Sequence, residues 1–130
     1  MLRNGILNPA LNSLLSRVRH TNSLVIADRG FPFWPALEIV DLSLIDDVPT
    51  VLQVLGAVRE NFLATHAYMA EEFLKENSKA TRKQFADALK GLDVTFEPHN
   101  QFKLRVPSAI GLIRTGDTTQ FSNLVLVSGR

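Results

Sequence analysis

Apolar side chains recur along this chain with two different periods, and the switches between them mark out its elements. Leu7, Leu11, Leu14, Leu15 and Val18 fall at i, i+4, i+7, i+8 and i+11, one stripe of a helix. Asn8 suits the N-cap of that helix, and Pro9 its first position, where a missing N–H costs nothing. The spacing breaks at Arg19-His20-Thr21-Asn22, so the helix is expected to end there. Residues 24–27 form a short, wholly apolar run, the mark of a strand covered on both faces, and Asp28-Arg29-Gly30 stops it abruptly.

The rest of the chain alternates in the same way. After the aromatic loop Phe31-Pro32-Phe33-Trp34-Pro35, residues 38–42 predict a second strand. Asp46-Asp47-Val48-Pro49 is an acidic helix start, followed by Val51, Leu55, Val58 and Phe62 at helical spacing. Residues 65–69 predict a strand; Asn77 or Ser78 caps a helix that carries Phe85, Ala88 and Leu89 inward and stops at Gly91. A strand at 94–96, a helical turn near Phe102, a buried strand at 109–113 and a last strand at 124–127 complete the series. Strands alternating with helices predict an α/β fold: one domain over residues 1–130, layered helix–sheet–helix, with a mainly parallel sheet. The final two strands, joined by a short Gly-containing segment, are expected to add an antiparallel edge.

Composition narrows the classes. At 130 residues and 45% hydrophobic, the chain can build one core without a disulfide or metal staple. It has no cysteine, which excludes a disulfide scaffold, a zinc ribbon, an iron–sulfur cluster and a thiol nucleophile. Fourteen Lys+Arg against thirteen Asp+Glu leave a net charge of +1 with no run of like sign, so nucleic acid is not an expected partner. No stretch of eighteen apolar residues predicts a membrane span and the N-terminus lacks a signal-peptide core, so the expected location is cytoplasmic. No GxGxxG, GxxxxGK[ST] or GxSxG is present, and the three histidines form no HxH or HxxxH pair, so no metal site is expected.

In open α/β sheets ligands collect outside the carboxyl ends of the strands, where loops and helix N-termini gather. That rule selects Asp28, Asp41, His99 and Arg114, each following a strand, and Phe121-Ser122-Asn123 if the last strand runs antiparallel. His20 ends the first helix, where the macrodipole favours an imidazolium and hence a proton donor. It precedes the first strand, however, so within one subunit it is expected roughly 15 Å from Asp28, and a site between subunits would remove the conflict. Each residue also has a plainer reading: a helix-end His as a cap, Asp28 and the 114–117 segment as turn formers, Phe121 as core, and His66 as a structural side chain in its strand. Residue chemistry by itself reaches a small α/β protein with a polar site at the strand ends.

These same residues resemble a known family. Asn4-Gly5-Ile6-Leu7-Asn8, Arg19-His20-Thr21 and Val25-Ile26-Ala27-Asp28 resemble the N-terminal segment of the D-ribose pyranase and L-fucose mutarotase family. Val40-Asp41-Leu42-Ser43-Leu44 resembles its ribose branch, and residues 113–117 with Phe121-Ser122-Asn123 resemble its C-terminal signature. The resemblance runs collinearly through nearly the whole chain. It implies an isomerase that interconverts ring forms of a free aldose, β-D-ribopyranose and β-D-ribofuranose first, with L-fucose or another aldose, or a non-catalytic sugar-binding homologue, as alternatives. It further implies no cofactor or metal, and a ring-shaped homo-oligomer, commonly a decamer, with sites shared between subunits. By the family pattern His20 is the catalytic proton donor, and Asp28, His99, Phe121, Ser122 and Asn123 bind the sugar. Phe121 stands where the family usually has tyrosine, and the Phe31–Trp34 loop is bulkier than the family's, so substrate identity is the point most affected.

Overall fold

The computed structural model describes residues 1–129. Helix α1 (Pro9–Arg17) starts where the sequence places it: Asn8 Oδ1 accepts from the Leu11 amide at 2.9 Å, with Pro9 in the first turn. It ends at Arg17, two residues earlier than expected. Strand β1 (Ser23–Ala27) follows, with Leu24 to Ala27 all buried, then β2 (Glu38–Asp41). Helix α2 (Val51–Arg59) opens with a reciprocal capping box between Thr50 and Gln53 and turns Val51, Val54, Leu55 and Val58 into the core. Strand β3 (Ala64–Ala70) leads into α3 (Glu72–Glu76), a five-residue helix that the periodicity does not reveal.

Helix α4 (Lys79–Ala88) is capped by Ser78, whose side chain accepts from the Thr81 amide, and buries Phe85. Its chain then turns at Gly91, whose φ of +90° suits glycine. Strand β4 (Asp93–Glu97), α5 (His99–Arg105) and a 3₁₀ turn (Val106–Ser108) precede β5 (Gly111–Arg114) and β6 (Leu124–Ser128).

The six strands form one sheet in the order β2-β5-β1-β6-β3-β4. The β1–β5, β2–β5 and β3–β4 pairs are parallel, while β6 runs antiparallel to both its neighbours, β1 and β3. The sheet is therefore mainly parallel, as the alternation predicts. The antiparallel strand is also the expected one, but it lies in the middle rather than at an edge, and β1 separates it from β5. The physical reason is visible in its burial: Leu124, Val125 and Leu126 are covered on both faces, which an edge position would waste.

Two apolar layers sandwich the sheet. On one face α1, α2 and α4 pack Leu14, Leu55, Val58 and Phe85 against Leu24, Ile26, Met69 and Leu126. On the other, α5 and the aromatic loop pack Phe31, Phe102 and Val106 against Val25, Ala27, Leu112 and Val125.

A polar cleft at the carboxyl rim of the sheet

Strand order decides which polar groups meet. The parallel strand β1 delivers Asp28 at its carboxyl end, and antiparallel β6 begins at that same end, so Asn123 lies beside Asp28 although 95 residues separate them in sequence. The Asn123 Oδ1 accepts from the Asp28 amide at 2.8 Å, and the Asp28 Oδ1 accepts from the Gly30 amide at 3.0 Å. Arg114, at the carboxyl end of β5, braces the loop from behind. Its guanidinium donates to the carbonyls of Asp28, Arg29 and Pro32 at 3.2 to 3.3 Å.

His99 opens α5 on the far side of the cleft. Its amide donates to both carboxylate oxygens of Glu72, at 3.1 Å each, which fixes the start of the helix. The ring lies edge-on to Phe121 (centroids 5.1 Å) and Phe31 (6.3 Å) and stacks on Phe102 (6.0 Å). Its Nδ1 is buried and has no hydrogen-bond partner among the described residues. An orphaned ring nitrogen beside an open cleft is a group waiting for a ligand's hydroxyl.

These side chains border a cleft of about 340 Å³. Asp28, Phe31, His99, Phe121 and Asn123 line it together with Arg29 and the 117–120 segment. The pocket falls in the size range of small-molecule sites. Burial drives the Asp28 carboxyl up from its usual value of 3.8, with the nearby Asp117 charge adding to this, against hydrogen bonds from Gly30, Phe31 and Asn123 that pull it down. Burial likewise drives His99 down from 6.5, helped by the Lys103 cation and opposed by Glu72 and Asp28, so the imidazole is held neutral at pH 7.

The remaining candidates fall elsewhere. His20 is exposed in a turn three residues past α1, beyond the reach of the helix dipole that the sequence suggested for it. The adjoining Thr21 amide donates to the Ser128 carbonyl at 3.0 Å, which ties this turn to the opposite end of the sheet from the cleft. Five strand residues at about 3.3 Å each put His20 roughly 16 Å from Asp28. Ser122 is fully buried and its hydroxyl donates to the Thr119 carbonyl at 2.9 Å, which commits it to holding the loop and takes it out of the cleft wall. Asp41 ends the edge strand β2 and caps its own turn through the Ser43 amide. His66 bonds Thr95 across β3–β4 and packs at a tilt against the Tyr68 ring, a structural role.

Sequence reasoning took Asp117 only as the end of a turn and passed over residues 118–120. Asp117 is 3% exposed; its carboxylate accepts from the Val51 and Thr119 amides, each at 2.8 Å, stitching α2 to the cleft floor. The only signal was five consecutive small or polar residues, 115–119, directly after a buried strand. Among the described residues no cluster of three or more His, Asp or Glu side chains is placed to hold a metal ion.

Over residues 1–130 the sequence matches the RbsD / FucU transport protein family. The chain belongs to that family. Relatives in the RbsD/FucU family include a "D-ribose pyranase" of Geobacillus kaustophilus, 38% identical over 99% of this chain and 94% of its own. Another, of Chromobacterium violaceum and described in the same words, is 36% identical over 99% and 98%. Among solved structures, Bacillus subtilis RbsD complexed with D-ribose superposes with a TM-score of 0.93 at 29% identity, covering 100% of this chain and 98% of that one. A fucose mutarotase from Streptococcus pneumoniae in complex with L-fucose shares the fold at a TM-score of 0.80 and 17% identity, over 95% and 93%.

Proposed function

We propose that this RbsD/FucU protein is a cofactor-independent isomerase that converts β-D-ribopyranose to β-D-ribofuranose. The carrying observation is the cleft, lined together by an imidazole with an unpartnered Nδ1, a carboxylate and an amide, in a chain whose relatives of 36–38% identity are described as D-ribose pyranases.

Ring opening moves two protons and breaks one bond. The anomeric hydroxyl loses its proton, the bond from the anomeric carbon to the ring oxygen breaks, and that oxygen takes up a proton to become a hydroxyl. The open aldehyde rotates and a different hydroxyl adds to it, with the two transfers reversed. No strong nucleophile is required, and a positioned acid and base are each worth about 10² to 10⁴ in rate. In this reading His99, kept neutral by burial, accepts the anomeric proton. Asp28 and the Asn123 amide hold neighbouring sugar hydroxyls, the amide offering its NH2 donors while its Oδ1 stays on the Asp28 N–H. Phe121 and Phe31 supply an apolar wall for the C–H face of the sugar.

The proton donor to the ring oxygen is His20 of a neighbouring protomer. One protomer has a histidine exposed at one end of the sheet and a cleft at the other, so the reading requires subunits arranged to bring them together. It therefore includes a homo-oligomer, a decamer by family resemblance, acting on free ribose in the cytoplasm. Saturation exchange by NMR between ribose ring forms tests the reaction: it should speed up with protein and fall at least tenfold in His20→Ala with the fold retained. Sugar binding with exchange unchanged from that of ribose alone would overturn it.

Phe121 favours a second reading. It carries no hydroxyl for the sugar, so L-fucose or another aldose could be the better substrate. The same experiment on L-fucose anomers separates the two.

A further inference from the structure

A second cavity, larger than the rim cleft and sharing no lining residue with it, lies between α3, α4 and the edge strand β4. Its volume is about 630 Å³. Phe73, Phe85 and Leu89 form its floor, all nearly inaccessible, and Leu74, Leu92 and Phe96 form its partly open sides. The rim is of opposite character. Lys79, Arg82, Lys83 and Lys90 all line the groove, and no acidic residue does. Four cations there contrast with a net charge of +1 for the whole chain.

The pairing of those cations is incomplete. Lys83 reaches Asp87 at 2.9 Å, one turn on along the exposed face of α4, which is a weak surface pair. The Arg82 Nε is buried and has no hydrogen-bond partner among the described residues. A guanidinium nitrogen withdrawn from water without an acceptor is unfavourable, and an anion entering the groove would supply one. The apolar floor would at the same time be covered, which is favourable in proportion to area.

We propose that this groove binds a single-chain anionic amphiphile, with its head on Arg82 and the rim lysines and its tail on Phe85, Leu92 and Phe96. A groove of about 630 Å³ lies in the size range of sites that enclose small molecules, so an acyl carboxylate of about ten carbons fits. The site is independent of the sugar reading: no residue that lines the groove lines the rim cleft.

The test uses the full chain and 1-anilinonaphthalene-8-sulfonate, an anionic apolar dye, displaced by decanoate, decanol or decyltrimethylammonium below their micelle concentrations. Decanoate should displace the dye at least tenfold more tightly than the neutral and cationic analogues. Lys79→Glu with Lys83→Glu should weaken decanoate at least tenfold and leave decanol unchanged. Ala86 lies exposed on the groove wall, so Ala86→Trp should block all three while circular dichroism and ring-exchange activity stay as in wild type. Equal binding of decanoate and decanol, or displacement indifferent to Ala86→Trp, would overturn the proposal. So would a change of sedimentation coefficient in these variants, since the groove would then be covered by a second copy of the chain.

Discussion

Asn123 holds the rim at a sensitive point, because its buried Oδ1 is the acceptor that fixes the first residue after β1. Asn123→Ala leaves the Asp28 amide without that partner. The expected cost is about 1–3 kcal/mol of stability, read from the urea midpoint, together with a raised KM for ribose. Leu, similar in volume, should not rescue it. Phe121→Tyr tests the opposite change: a hydroxyl returned to the sugar shell is worth about 0.5–1.5 kcal/mol, so KM should drop several-fold with kcat little altered. His99 carries a pH signature. Its folded value lies below 6.5, so as pH falls through 6.5 the unfolded chain takes up a proton that the folded chain refuses, and stability declines toward acid. Wild type should lose more stability between pH 7.5 and 5.5 than His99→Gln, and the acid limb of the exchange rate should lie below pH 6.5.

At the scale of elements, caps and buried runs were readable because their causes are local. Asn8, Thr50 and Ser78 accept from amides three residues on, and the β1 run needs covering on both faces wherever it is placed. Asn8 and Ser78, the latter one of two candidates with Asn77, were named from sequence; Thr50 was not, since the acidic cluster 46–49 expected to start α2 lies in the turn before it. What escaped was set by distant partners. Helix α3 is too short for a period to show, and its N-terminal turn is fixed instead by contacts to β4 and α5, through Glu71 to the Glu97 carbonyl and Glu72 to His99. The 114–117 turn looked ordinary and is not. At Gly116 a Cβ would stand 2.3 Å from the Ile45 carbonyl oxygen and 3.1 Å from that of Val48, because the two backbones bond one another there. Gly116→Ala should cost about 1–3 kcal/mol and lower Tm by roughly 5–15 °C in a calorimetric scan, since backbone has nowhere to retreat.

Across the whole molecule, sequence pattern gave the layers but not the order of strands. Periodicity reports whether a strand is covered, and β1, β5 and β6 all read as covered; which one sits beside which depends on contacts between residues up to a hundred positions apart. The same limit applies to the site. Asp28, His99 and Asn123 were selectable from the rule about strand ends, and the structure puts them on one cleft, whereas Ser122 and Asp41 followed the same rule and point to their own loops. His20 is the residue that one protomer leaves stranded. If clefts are completed by a neighbour, mixing dissociated His20→Ala and His99→Ala chains and reassembling them should restore on the order of a quarter of wild-type exchange, because random pairing yields that share of sites with both histidines intact. Activity no higher than in either parent would place both groups on one subunit or remove His20 from the reaction.

The position of β6 also governs whether the sheet is one piece. Residues 124–128 bridge β1 to β3, so without them the remaining strands fall into two sheet fragments, β2-β5-β1 and β3-β4, each with an open flank. The sheet closes only when β6 is in place, and a chain in which β6 has detached shows two unpaired flanks that invite pairing with other chains.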